Sequence, residues 1–247
     1  MDPLLNFNGK IALVTGGSRG LGYAMVKALA ERGADIIIAS RKLENCEQVA
    51  AEVRQLGRRA LAISAHVGRW QECDALVERA YQEFGRIDIL INNAGMSPAC
   101  PSHEVSEKLF DSVLNLNFKG PFRLASQIAH RMAQGNGGSI INISSTGALM
   151  ALPGVVPYGS AKAALNAMTI SLAAEYGPNV RINGISAGPF MTEAHADWDD
   201  TTVAKIRNPA GRPGQPQEII SAVLMLAADS ASFITGSIVR VDGGQRG

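Results

Sequence analysis

The feature that most constrains the fold is a regular alternation of short apolar runs with longer amphipathic or small-residue runs. Residues 10–15 (KIALVT), 35–40 (DIIIAS), 60–65 (ALAISA), 87–92 (IDILIN), 139–144 (SIINIS), 180–186 and 237–241 read as strands. Residues 21–32, 43–56, 69–84, 106–132 and 157–176 read as helices. Gly33, Gly57 and Gly85 stand where the first three helices end, as a residue tolerant of positive φ should. The apolar runs are continuous rather than alternating, which predicts strands covered on both faces. Strict strand–helix alternation predicts an α/β fold: a doubly wound parallel sheet of about seven strands, right-handed crossovers, helices on both faces. No linker or composition break divides the chain, so 1–247 is expected to be a single domain.

Composition narrows the function classes. Hydrophobic residues make up 46% of the chain and the formal net charge is +1, values of an ordinary globular protein. That balance gives no reason to expect nucleic acid or a membrane surface as partner. No signal-type leader and no apolar run of membrane-spanning length is seen. Cys46, Cys73 and Cys100 are odd in number and widely spaced, which argues against a disulfide framework and suits a cytoplasmic location. His66, His103, His130 and His195 have no ligand spacing, so no metal is expected.

After the first strand, TGGSRGLG places Gly16, Gly20 and Gly22 where the strand turns into a helix. Glycines there permit a tight turn and close approach of backbone to a pyrophosphate, whose charge the helix N-terminus meets. The predicted sheet is then of Rossmann type. An acid ending the second strand would bond an adenosine ribose and repel a 2′-phosphate. Here that end reads Ala39-Ser40-Arg41-Lys42, and Arg19 lies in the turn. Two guanidiniums converging on the ribose suit a 2′-phosphate, so NADP(H) is expected over NAD(H), with NAD(H) the alternative.

The stretch 139–176 holds the chemistry. Ser144 and Ser145 close a strand, and Tyr158 and Lys162 stand four apart on one face of the following helix. A hydroxyl pair, a phenol and an ammonium at a strand's carboxyl end describe a proton-transfer site.

From residue 10 to residue 244 the chain resembles the short-chain dehydrogenase/reductase family. TGGSRGLG is similar to the family's TGxxxGxG turn, and Asn92-Asn93-Ala94-Gly95 to its NNAG motif. Asn117, Ser145, Tyr158 and Lys162 fall on its catalytic tetrad, and the segment from Gly211 onward resembles the C-terminal signature of its reductases. Two departures stand out: His66-Val67 replaces the usual Asp-Val that touches adenine, and Ala187-Gly188 replaces Pro-Gly. The resemblance implies cofactor contacts from Gly16, Ser18, Arg19, Gly20, Leu21, Gly22, Ser40, Arg41, His66, Val67, Asn93, Ala94, Gly95, Tyr158, Lys162, Gly188, Phe190 and Thr192. It also implies roles: Tyr158 as general acid/base, Ser145 on the substrate oxygen, Lys162 on the nicotinamide ribose. Asn117 would position Lys162 through a water at a helix kink.

A free tyrosine titrates near pH 10; an ammonium on the same face, a helix N-terminus and an oxidised nicotinamide would each favour phenolate. Ser144 reads as structural. Residues 190–212 resemble the family's segment over the substrate and are expected to close on it. Met96, Ala99, Leu149 and Met150 suggest a pocket for an uncharged small-molecule carbonyl or alcohol. The helix 157–176 is apolar nearly all round, so its outer face is expected to meet a second copy, in a homotetramer or a dimer. Two function classes follow: a reductase, with 3-oxoacyl thioesters on acyl carrier protein among its candidate substrates, or a dinucleotide-sensing regulator without turnover.

Overall fold

The structure is a computed structural model and describes residues 3–193, 206 and 208–245. Seven strands, β1 (Ile11–Thr15), β2 (Asp35–Ser40), β3 (Ala60–Ser64), β4 (Ile89–Asn92), β5 (Gly138–Ser145), β6 (Val180–Ala187) and β7 (Ile238–Val241), form one sheet. Their order is β3-β2-β1-β4-β5-β6-β7, and every pair is parallel. The chain reverses direction of travel across the sheet between β1 and β4. The carboxyl ends of those strands therefore open the crevice in which a doubly wound sheet binds ligands.

Successive strand residues face opposite sides, so each strand feeds two cores. Val14, Ile36 and Ile38 pack with Met25 and Leu29 of α1 (Gly20–Glu31), Val49 and Val53 of α2 (Leu43–Gln55), and Val223 and Leu226 further along the chain. Leu13 and Ile37 pack on the other face with Leu76 of α3 (Trp70–Phe84) and with Leu124, Leu165 and Leu172.

The central strands are buried except at Asp35, Ser40, Gly138 and Arg181, as the continuous apolar runs predict. Edge strands β3 and β7 are only half-buried, because each has a neighbour on one side alone.

The run 106–132 is not one uniform helix. Ser106 accepts the Leu109 N–H at 3.2 Å and caps α4 (Glu107–Leu114). One π turn, Asn115–Lys119, follows, and then α5 (Gly120–Ala133). The kink that resemblance implied at Asn117 is this π turn. Gly120 sets it against the strand layer: a methyl there would stand 1.7 Å from the Val67 carbonyl oxygen. Next come α6 (Val156–Tyr176) and α7 (Ile220–Ala227), the latter a helix not foreseen from the pattern, carrying Val223 and Leu226 into the first core.

Candidate active site

The Gly-rich turn bends back at Gly16 (φ 65°), and Gly20 (φ 55°) opens α1. No side chain caps α1, and its first turn holds no acid, so its N–H groups face outward for an anion. A methyl on Gly22 would stand 2.1 Å from the Gly16 carbonyl oxygen, so only glycine lets α1 start this close to the turn. Leu21 packs half-buried on the first core. These are the features a pyrophosphate requires, and the turn fits one.

Thr15 locks the turn to β4. Its Oγ1 accepts the N–H groups of Asn93 (3.0 Å) and Ala94 (3.2 Å) and donates to the Ile91 carbonyl (3.3 Å). Asn93 Nδ2 returns two bonds, to the carbonyls of Thr15 (2.9 Å) and Gly16 (3.3 Å). The Asn93 side chain thus holds the turn itself. From the other side, Gly188 donates to the Val241 carbonyl (3.0 Å), and buried Phe190 bridges to Gly214. That path brings Thr192 and Glu193 across to Gly20, where a methyl would meet Thr192 Cβ and Glu193 Oε2 at 3.5 Å. Of the expected covering segment, residues 194–205 and 207, with Trp198 and His195, lie outside the described residues.

On the adenosine side, the Ser18 hydroxyl donates to Ser40 Oγ at 2.9 Å, and Ser40 Oγ lies 3.1 Å from Cys46 Sγ. Arg19 and Arg41 are both exposed, and neither is held by a carboxylate among the described residues. His66 is half-buried and Val67 buried just beyond β3.

The catalytic candidates meet at the carboxyl end of β5. Ser145 Oγ accepts the Gly147 N–H (3.1 Å), and its hydroxyl favours the phenolate of half-buried Tyr158. Ser144 Oγ donates to the Lys162 carbonyl (3.4 Å), a tie between β5 and α6 that agrees with its structural reading. Buried Lys162 extends its Nζ to the Ile143 carbonyl (2.8 Å), 5.7 Å from the Tyr158 ring centre. Asn117 Nδ2 donates to the carbonyls of Met96 (2.9 Å) and Val113 (3.0 Å). Gly95 ties these groups together: a methyl there would stand 2.7 Å from Asn117 Oδ1 and 3.6 Å from Lys162 Nζ.

The electrostatics differ from the sequence expectation in one respect. Burial, opposed by the Ser145 hydroxyl, pushes the Tyr158 phenol above its ordinary value. Lys162 is not among the causes of the shift; its ammonium donates to the Ile143 carbonyl. Burial also drives the Lys162 ammonium down to about 8. A main-chain acceptor such as Ile143 leaves no side-chain signal in a sequence, whereas the buried Thr15 hub could have been suspected from its place before the glycines.

A cavity of about 450 Å³ opens at the opposite, amino ends of the strands. Of its charged groups, Lys10 pairs with Asp229 (2.7 Å) and Arg86 with Asp88 (3.2 Å), while Arg181 donates to the carbonyls of Leu226 (2.8 Å) and Ala228 (3.0 Å).

Comparison with known proteins agrees with this arrangement. A family model described as enoyl-(acyl carrier protein) reductase matches residues 16–246. The A-factor type γ-butyrolactone 1′-reductase (1S-forming) of Streptomyces virginiae is 37% identical, covering 95% of this chain and 95% of its own. The 2-dehydro-3-deoxy-D-gluconate 5-dehydrogenase of Escherichia coli is also 37% identical, covering 97% and 96%. The solved structure of 7α-hydroxysteroid dehydrogenase with NADH and 7-oxo glycochenodeoxycholic acid superposes with a TM-score of 0.94 at 31% identity, covering 99% of this chain and 97% of that one. The chain belongs to the short-chain dehydrogenase/reductase family, oxidoreductases that act on alcohol and carbonyl groups with NAD(P).

Proposed function

We propose that the chain reduces an uncharged small-molecule ketone with NADPH, and oxidises the matching secondary alcohol in reverse, with Tyr158 as general acid/base. The observation that carries this is the convergence of Ser145, half-buried Tyr158 and buried Lys162, whose Nζ lies 5.7 Å from the Tyr158 ring centre, at the strand ends that face the glycine turn.

Bound NADP(H) supplies or accepts the hydride; everything else falls to side chains. Ser145 donates to the substrate oxygen and keeps it beside the phenol. Tyr158, held protonated by its burial, gives its proton to that oxygen during reduction and regains one afterwards. Lys162 holds the nicotinamide ribose, and its charge favours phenolate whenever it leaves Ile143. Asn117 keeps the π turn and the Met96 backbone in place beside Lys162. Arg19 and Arg41, exposed and held by no carboxylate among the described residues, favour a 2′-phosphate and so NADP(H) over NAD(H).

Following NADPH absorbance against ketones, sugar acids and 3-oxoacyl and enoyl thioesters, beside Tyr158→Phe, tests this reading. Turnover of a ketone, lost by about a hundredfold or more in the variant, is expected. Undamaged activity in Tyr158→Phe refutes the mechanism; tight NADP(H) binding with no turnover across the panel would favour the sensing role.

The assembly reading rests on α6. Its inner residues Ala161, Leu165, Met168 and Leu172 are buried, while Ala163, Ala167 and Ile170 form an exposed outer stripe. A second copy covering that stripe, in a homotetramer or dimer, is part of the proposal, and light scattering at micromolar concentration checks it. No helix among the described residues is long and apolar enough to cross a membrane. With the unpaired thiols of Cys46, Cys73 and Cys100, a cytoplasmic location is part of the reading.

A further inference from the structure

We infer that His66 meets the purine of the dinucleotide as a hydrogen-bond donor, so that the site takes a 6-oxopurine dinucleotide about as readily as the adenine one. This rests on the dinucleotide reading given above. The sheet order puts the carboxyl ends of β2 and β3 beside the glycine turn, on the side away from Tyr158. A dinucleotide with its pyrophosphate on the turn and its nicotinamide toward Tyr158 lays its adenosine over those two ends. There the strands are stitched together: Ala65 N–H donates to the Ser40 carbonyl (2.9 Å) and the Ser64 hydroxyl to the Arg41 carbonyl (3.0 Å).

His66 comes next and is fixed at three points. Its N–H donates to Glu72 Oε2 (2.6 Å), its carbonyl accepts the Arg69 N–H (2.8 Å), and its ring Nδ1 accepts the Gly68 N–H (3.2 Å). A ring nitrogen that accepts a main-chain N–H carries no proton, so the imidazole proton sits on Nε2. Nε2–H has no hydrogen-bond partner among the described residues. The carboxylate of this segment, Glu72, is spent on the His66 N–H and on the Arg69 guanidinium (2.8 Å). No carboxylate of that segment is therefore left to accept the 6-amino group of adenine. Adenine offers the acceptor N1 beside that amino group; hypoxanthine carries hydrogen on N1 and offers the acceptor O6 at the adjoining position. A donor at Nε2 serves either base, whereas a carboxylate would select adenine and repel O6.

Calorimetric titration of the full chain with NADP⁺ and with its hypoxanthine counterpart tests this without turnover. The unsubstituted chain is expected to bind the two within about threefold. His66→Asp should shift the ratio toward adenine by about tenfold, the discrimination a mismatched polar group produces. His66→Asn, whose amide can take the Gly68 N–H and still donate, should keep the original ratio. A tenfold or larger preference for adenine in the unsubstituted chain overturns the inference. So does a ratio that His66→Asp leaves unmoved, or one that His66→Asn moves equally. If neither dinucleotide binds, the dinucleotide reading itself falls and takes this inference with it; if both bind, the two failures are told apart.

Discussion

Replacing Lys162 by methionine should make the protein more stable and inactive at once. Lys162 is buried at 4% exposure, and burial alone drives its ammonium from the ordinary value near 10.5 to about 8. At about 1.4 kcal/mol per unit, holding that charge in the fold at pH 7 costs roughly 3 kcal/mol. Its hydrogen bond to the Ile143 carbonyl at 2.8 Å returns about 1 kcal/mol, which the variant forfeits. Methionine has nearly the same length and volume, so no cavity opens. The net gain at pH 7 is about 2 kcal/mol, or roughly 4–8 °C in Tm for a chain of this size. Its pH dependence identifies the cause. Between about 8 and 10.5 the unfolded chain binds a proton at Lys162 that the folded chain does not, so the stability of the unsubstituted protein rises with pH across that window. The penalty is complete below pH 8 and gone above 10.5. The advantage of Lys162→Met should therefore be full at pH 7, shrink steadily above pH 8, and reverse slightly near pH 10.5. Urea unfolding of both proteins at one fixed concentration, at pH 7, 9 and 10.5, reads this directly. A variant less stable at pH 7, or a gain that stays constant with pH, would refute the burial argument.

The same titration should appear in kinetics. kcat/KM for NADPH reports the free enzyme, so it should fall as pH rises through about 8, where Lys162 loses its charge, and Lys162→Arg should flatten that limb. Gly95→Ala places a methyl 2.7 Å from Oδ1 of buried Asn117, which accepts the Met96 N–H (3.4 Å), so the side chain that holds Met96 must shift. The expected result is a chain that folds, with a Tm within a few degrees, but loses about tenfold or more in kcat; unchanged kcat would show that Asn117 and Lys162 do not need that packing. Glu193→Gln removes a carboxylate lying against Gly20 at the uncapped start of α1. Dinucleotide binding should tighten about fivefold at low salt and less at high salt, as an exposed like-charge contact that salt screens requires; unaltered affinity by fluorescence titration would count against the contact.

What was legible in the chain follows from what side-chain patterns encode. The parallel sheet could be read because strands buried on two faces carry uninterrupted apolar runs, and β1, β2 and β5 appear almost to the residue. The break in the run 106–132 was not legible from periodicity. Asn115, Leu116 and Phe118 suit a helix of either pitch, and the π turn is imposed by the approach of Gly120 to Val67. Tyr158 and Lys162 stood out because they share a helical face, whereas Asn117 and the choice of Ser145 over Ser144 came only from the resemblance to the family's tetrad. Where Lys162 points did not stand out, because its partner is a main-chain carbonyl that every residue possesses. The edge strands were misjudged for a related reason: β3 and β7 read like core strands, but only pairing order tells which strands lack a second neighbour.

With Tyr158 in the proposed role of general acid/base, the opposed shifts of Tyr158 and Lys162 bear on which direction of reaction is favoured. Burial holds the phenol above its ordinary value, so at neutral pH the side chain carries the proton that a ketone oxygen must receive. Lys162, near 8, keeps most of its charge at pH 7 but spends it on Ile143 rather than on the phenol. Reduction needs nothing further from the pair: the acid is already in its acid form. Oxidation needs phenolate, and therefore needs the ammonium released from Ile143 toward the phenol, or positive charge brought in with the oxidised nicotinamide. The alcohol-oxidising direction should thus depend on pH far more steeply than ketone reduction below pH 8. A mutation that frees Lys162 from Ile143 without exposing it would speed oxidation selectively.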